Sequence, residues 1–67
     1  MSVAKVSEIS ASSTQSFEDA IAQGLKRFCK TVENVQEAWV HEQKVKVSGD
    51  SVSEYRVTMK VTFIVND

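Results

Sequence analysis

SFEDAIAQGLKRFCKTVEN, residues 16–34, is the stretch on which the fold turns. Phe17, Ala20, Ile21, Gly24, Leu25, Phe28 and Val32 recur at i, i+3, i+4, i+7, i+8, i+11 and i+15, one apolar stripe on a 3.6-residue period. Glu18, Gln23, Lys26, Arg27 and Lys30 take the opposite face. Glu18 and Asp19 stand in the first turn and the bases in the later turns, the sense that complements the helix dipole. The spacing therefore predicts one amphipathic helix over 16–34, about 29 Å long for 19 residues. Ser16 with Asp19 forms a capping-box pattern, with Ser13 or Thr14 as alternative caps one turn earlier, and Asn34 is the stop. Gly24 lies on the apolar stripe at a cost of roughly 1 kcal/mol against Ala. Close approach of helix and sheet explains such a residue.

Downstream the period changes. Between Tyr55 and Val65 the odd positions are Tyr55, Val57, Met59, Val61, Phe63 and Val65, and the even ones include Arg56, Thr58, Lys60 and Thr62. Period-2 alternation predicts a strand with one face on the core. Ser48-Gly49-Asp50-Ser51 is the turn before it, with Gly49 suited to positive φ. In the preceding strand Ala38 and Val40 are apolar at even positions, Val45 and Val47 at odd ones. A face changes parity only through an extra or missing residue, so a β-bulge or bend is expected between His41 and Lys44. Upstream, Ala4–Ile9 reads as a short first strand, and the serine-rich stretch from Ser10 to Ser16 as a loop into the helix. The order is β-α-β-β, an α+β domain whose three-stranded antiparallel sheet wraps one helix. A strand of 11 residues runs about 36 Å, so the hairpin outruns its helix.

The 67 residues leave room for one domain, taken as 1–67. A lone core of this size supplies about 3–5 kcal/mol and calls for disulfides, a metal or partner subunits. One cysteine, Cys29, forms no internal disulfide, and Cys29 with the one histidine, His41, makes no four-ligand zinc site. Self-association remains, so a homo-oligomer is expected. Net charge −1, from 8 basic and 9 acidic residues, argues against a nucleic-acid partner. No run reaches the length of a membrane span, and residues 1–10 contain no signal-peptide core. A cytoplasmic protein is expected.

Alternation also defines the sheet face away from the helix. With Ala38 and Val40 inward, Glu37, Trp39, His41 and Gln43 point outward, joined by Arg56, Thr58 and Lys60. An indole on a polar face calls for a cover. Trp39 therefore either packs at a subunit interface or offers a stacking platform to a planar ligand, and the two coincide for a ligand held between subunits. No nucleophile or orienting partner for His41 is evident, so no catalytic residue is assigned and no enzyme is expected. Cys29 is expected to be a half-buried structural thiol, and Lys44, Lys46 and Lys60 a solvated or interface face. Scattered acids define no metal site within one chain; calcium or magnesium would have to be bound across subunits.

Three segments resemble the dodecin family. Ser16-Phe17-Glu18-Asp19-Ala20-Ile21 is similar to its helix start S-F-E-x-A-[VI], Lys30-Thr31-Val32-Glu33-Asn34-Val35 to its helix end K-T-[VL]-x-N-[VL], and Glu54 to Phe63 to its closing strand. The resemblance implies a hollow homododecamer and a binding rather than catalytic role. It implies flavin storage, with paired isoalloxazine rings stacked between two tryptophans across a two-fold axis and a glutamine of the last strand at the ring edge. Counted along the motifs, the stacking tryptophan falls on Glu37 and the glutamine on Arg56, while Trp39 lies two residues on, about 6.6 Å along the same face. Glu37, Trp39 and Arg56 are thus the expected ligand-binding residues. In one reading riboflavin or FMN binds, with Trp39 or the planar Arg56 guanidinium as the stacking surface. In the alternative, Glu37–Arg56 ion pairs have replaced the flavin, and the shell binds a cation, another small molecule or nothing.

Overall fold

The computed structural model describes residues 2–65. The elements are β1 (Val3–Ser13), α1 (Phe17–Phe28), β2 (Val35–Ser48) and β3 (Ser51–Val65). The three strands form one antiparallel sheet in the order β1-β3-β2, with the hairpin turn at Gly49, φ 65°. This is the expected β-α-β-β arrangement.

The helix begins as its sequence indicates. Ser16 is the N-cap, its Oγ accepting the Asp19 N–H at 2.9 Å. Ser13 is not a cap: its hydroxyl donates to Asp19 Oδ2 at 2.6 Å and accepts the Gln15 N–H at 2.9 Å, tying the end of β1 to the first turn. The expected far end is not reached. α1 has 12 residues, and Val32 lies beyond it. After Phe28 the chain tightens, with Lys30 N–H bonding Arg27 O and Thr31 N–H bonding Phe28 O. The Thr31 hydroxyl and the Val32 N–H converge on that same Phe28 carbonyl, which leaves no regular ladder to extend. Cys29 is the C-cap and is exposed, so it is not the half-buried thiol expected of a longer helix. Asn34, at φ 62°, turns the chain into β2.

β1 is longer than its pattern suggested, because Ser10–Ser13 pair with Thr58, Val57, Arg56 and Tyr55 of β3. Pairing carries weakly patterned residues into the strand. Two edge-to-face contacts set the helix along β3: Phe17 against Tyr55 at 5.2 Å and Phe28 against Phe63 at 6.0 Å. Ala20 on its inner face and Val57, Met59 and Val61 of β3 are fully buried between helix and sheet, with Ile9, Ala11, Ile21, Leu25 and Val40 packed around them. An added Cβ on Gly24 would stand 2.8 Å from Ala11 Cβ and 3.1 Å from Met59 Cε, the close approach its place on the stripe implied.

Both ends of the hairpin outrun the helix. The molecule extends 52 × 20 × 13 Å, with a radius of gyration of 13.9 Å against roughly 11 Å for a compact chain of this length. Its surface of 4952 Å² exceeds the roughly 4,200 Å² usual for a folded monomer of its mass. Val45, Val47 and Val52 near the hairpin tip, and Val3 and Val65 at the other end, stand exposed. Among the described residues no helix is long and apolar enough to cross a membrane.

Candidate functional site

The outward face of the sheet is built from register. Residues paired directly across strands share a face. The even residues of β3 therefore line up with the even residues of β1, giving the rows Val6–Thr62, Glu8–Lys60, Ser10–Thr58 and Ser12–Arg56. From β2, Glu37 joins Thr62, Trp39 joins Lys60, Glu42 joins Thr58 and Lys44 joins Arg56. The parity change of β2 is present, but one step earlier than expected: the register shifts between Val40 and Glu42, leaving His41 as the extra residue. Gln43 consequently pairs with buried Val57 and does not share the outward face, a correction to the simple alternation. A polar residue on the inner face hid the site of the switch.

Trp39 is 63% exposed, the most exposed of the large apolar side chains. Lys60 Nζ lies 5.5 Å from its ring centroid, a cation–π contact, and the His41 ring is 5.8 Å away at 55°. With Val6, Glu37, Ala38, Lys60 and Thr62 the indole borders an open depression of about 540 Å³. His41 Nε2 and Glu8 Oε2 are 3.1 Å apart, a tie from β2 to β1 across the central strand. Glu8 is thus an orienting partner for His41 that the sequence did not reveal, since the outward row of β1 emerges only from its pairing with β3. Among the described residues no hydroxyl or thiol bonds that ring.

Glu37 and Arg56 do not meet within one chain. Their rows are six residues apart on β3, about 20 Å. Arg56 Nε donates to Glu54 Oε2 at 2.6 Å instead. Glu37 and Trp39 border one depression, and Arg56 with Lys44, Ser10, Ser12 and Thr58 borders another, about 240 Å³. Among the described residues no group of three or more His, Cys, Asp or Glu is placed to hold a metal ion.

The Dodecin family model matches residues 3–66. The chain belongs to the dodecin family. A point mutant of the dodecin from Thermus thermophilus superposes with a TM-score of 0.95 at 28% identity over 100% of both chains. The dodecin from Streptomyces davaonensis gives 0.93 at 26% identity, over 98% of this chain and 97% of that one. The dodecin from Streptomyces coelicolor, at 17% identity and TM-score 0.94 over 98% and 94%, shares the fold. A comparison with curated proteins gives no match.

Proposed function

We propose that the protein is a non-catalytic, cytoplasmic binding and storage protein that holds a flavin, riboflavin or FMN, at subunit interfaces of a homododecamer. The observation that carries this reading is Trp39, a large ring presented to solvent on the sheet face with an open depression beside it. Flavin binding and twelvefold assembly are typical of the family to which the chain belongs. The two requirements meet at one place, because a subunit closing over the outward face covers the indole and encloses its ligand. Lys60 holds its charge over the indole and must yield, or join the far side of the sandwich, when a planar ligand stacks. Titration with riboflavin and with FMN tests the reading. Ligand and Trp39 fluorescence should both fall, and Trp39→Ala should abolish saturable binding. Unchanged flavin fluorescence at high micromolar protein would reject it.

One observation favours the second reading, a shell of the same build that has lost the flavin. Glu37, exposed beside Trp39, stands where the family's stacking tryptophan falls, and a carboxylate offers no aromatic surface. Arg56 of another subunit is then the countercharge, since the two are separated within one chain. Such a shell binds a cation, another small molecule or nothing. A yellow protein with flavin absorbance, purified without added cofactor, would rule this out.

A further inference from the structure

The charged groups around Trp39 are not joined as the register would join them. Glu8 and Lys60 are direct cross-strand partners on the outward face, an arrangement that sets opposite charges about 5 Å apart at Cβ and lets them attract. Yet the Glu8 carboxylate is turned to His41 Nε2 at 3.1 Å, and Lys60 makes no ion pair among the described residues. Its ammonium lies over the Trp39 ring, 5.5 Å from the centroid. His41 is the extra residue of β2, so no β3 partner fixes its place, and its ring stands 5.8 Å from the indole. One acid is thus contested by two bases, and the base it leaves covers the aromatic face.

Charge decides which base Glu8 takes. A protonated His41 holds the carboxylate by a hydrogen bond between two charged groups, roughly twice as strong as one between neutral groups. Lys60 then stays over the indole. Once His41 is neutral, the pull on Glu8 weakens, and Lys60, directly opposite, is the cation on its own row. Drawn to Glu8, the ammonium clears the ring. The other charges on this face do not set the choice. Glu42 is engaged by Lys44 Nζ at 3.8 Å, and Arg56 by Glu54 at 2.6 Å. Glu37, opposite Thr62, is a diagonal neighbour of Lys60 whatever the charge of His41. α1 packs on the opposite face of the sheet.

We propose that His41, acting through Glu8 and Lys60, is a positioning residue for the ligand face of Trp39, and that a planar ring gains access to the indole as His41 loses its proton. The ligand part rests on the flavin reading above; the movement of Lys60 does not, and the experiment separates them. Trp39 is the one tryptophan of the sequence, so indole fluorescence reports it alone. The assembled full-length protein is measured at about pH 5.5 and about pH 8, a span over which an imidazole changes charge. Quenching by acrylamide, a neutral probe, reads access to the ring without a ligand. Titration with riboflavin, which has no group titrating in that span, reads binding. Both should be greater at the higher pH, binding by roughly fivefold, the worth of one exposed cation–π contact. His41→Gln should raise both low-pH values to the high-pH level. Glu8→Gln leaves Lys60 no acid to return to and should hold both at the low-pH level throughout, whereas Lys60→Gln should give high access at either pH. These two variants decide the case if His41→Gln does not assemble. Access that follows pH without riboflavin binding keeps the positioning role and removes the flavin. Riboflavin binding with neither readout dependent on pH overturns the role of His41 and leaves the flavin reading standing. A pH response that survives both His41→Gln and Glu8→Gln overturns it as well, and constant access with no riboflavin binding overturns both.

Discussion

Gly24 shows how far one side chain is constrained here. Replacing it with Ala favours the helix by roughly 1 kcal/mol, but the new methyl lands 2.8 Å from Ala11 Cβ, which is fixed to β1 and cannot swing aside. Overpacking of this kind costs about 1–3 kcal/mol. Gly24→Ala should therefore lower the urea midpoint by about 1 kcal/mol in net stability, and adding Ala11→Gly should recover part of the loss. Met59, fully buried between the helix and both edge strands, is the larger test: Met59→Ala should cost about 2–5 kcal/mol. Leu25, packed against the core but only half-buried, should cost less on truncation. Trp39 is the opposite case, since its ring contributes to no buried cluster and its worth lies in what covers it.

Among the elements, α1 depends on its first turn. Its 12 residues are few for a helix in isolation. The Ser16 cap closes that turn, and the Ser13–Asp19 hydrogen bond ties it to the end of β1. Ser16→Ala should cost about 1 kcal/mol in chemical denaturation. Because Asp19 accepts from Ser13 through its carboxylate and donates to Ser16 through its N–H, Ser13→Ala combined with Ser16→Ala should depart from additivity, and a double-mutant cycle measures by how much. β2 is shaped by its irregularities, of which the one at His41 has a readable consequence. It carries the ring into reach of Glu8 on the far edge of the sheet.

At the scale of the molecule, surface decides. Among the described residues, four fully buried ones are a small core for a chain that exposes more area than a monomer of its mass usually does. Partner subunits are the available cover, and apparent stability then depends on concentration. The melting temperature should rise with protein concentration, and native mass spectrometry should find about 90 kDa for twelve chains of 7.5 kDa. A concentration-independent melt at the mass of one chain would end the assembly argument. Val47, 61% exposed near the hairpin tip, offers a sharper probe: Val47→Lys should reduce the assembled mass more than the helical signal if the tip is covered by a neighbour.

The sequence by itself determined the helix start, the closing strand, the hairpin and the outward place of Trp39, because each rests on a period or a cap contained within a few neighbouring residues. The family was legible for the same reason, in three local motifs. What lay between residues distant in the chain was not. The end of α1 depended on three donors meeting one carbonyl at Phe28. The length of β1 depended on hydrogen bonds lent by β3, and its serines gave no sign of that. The hairpin register set Lys44 opposite Arg56 and Glu37 opposite Thr62, six residues along β3, and the bulge at His41 turned Gln43 onto the inner face. Register is a property of paired strands, and a single extra residue reassigns every partner beyond it; only the tertiary structure could decide where that residue falls.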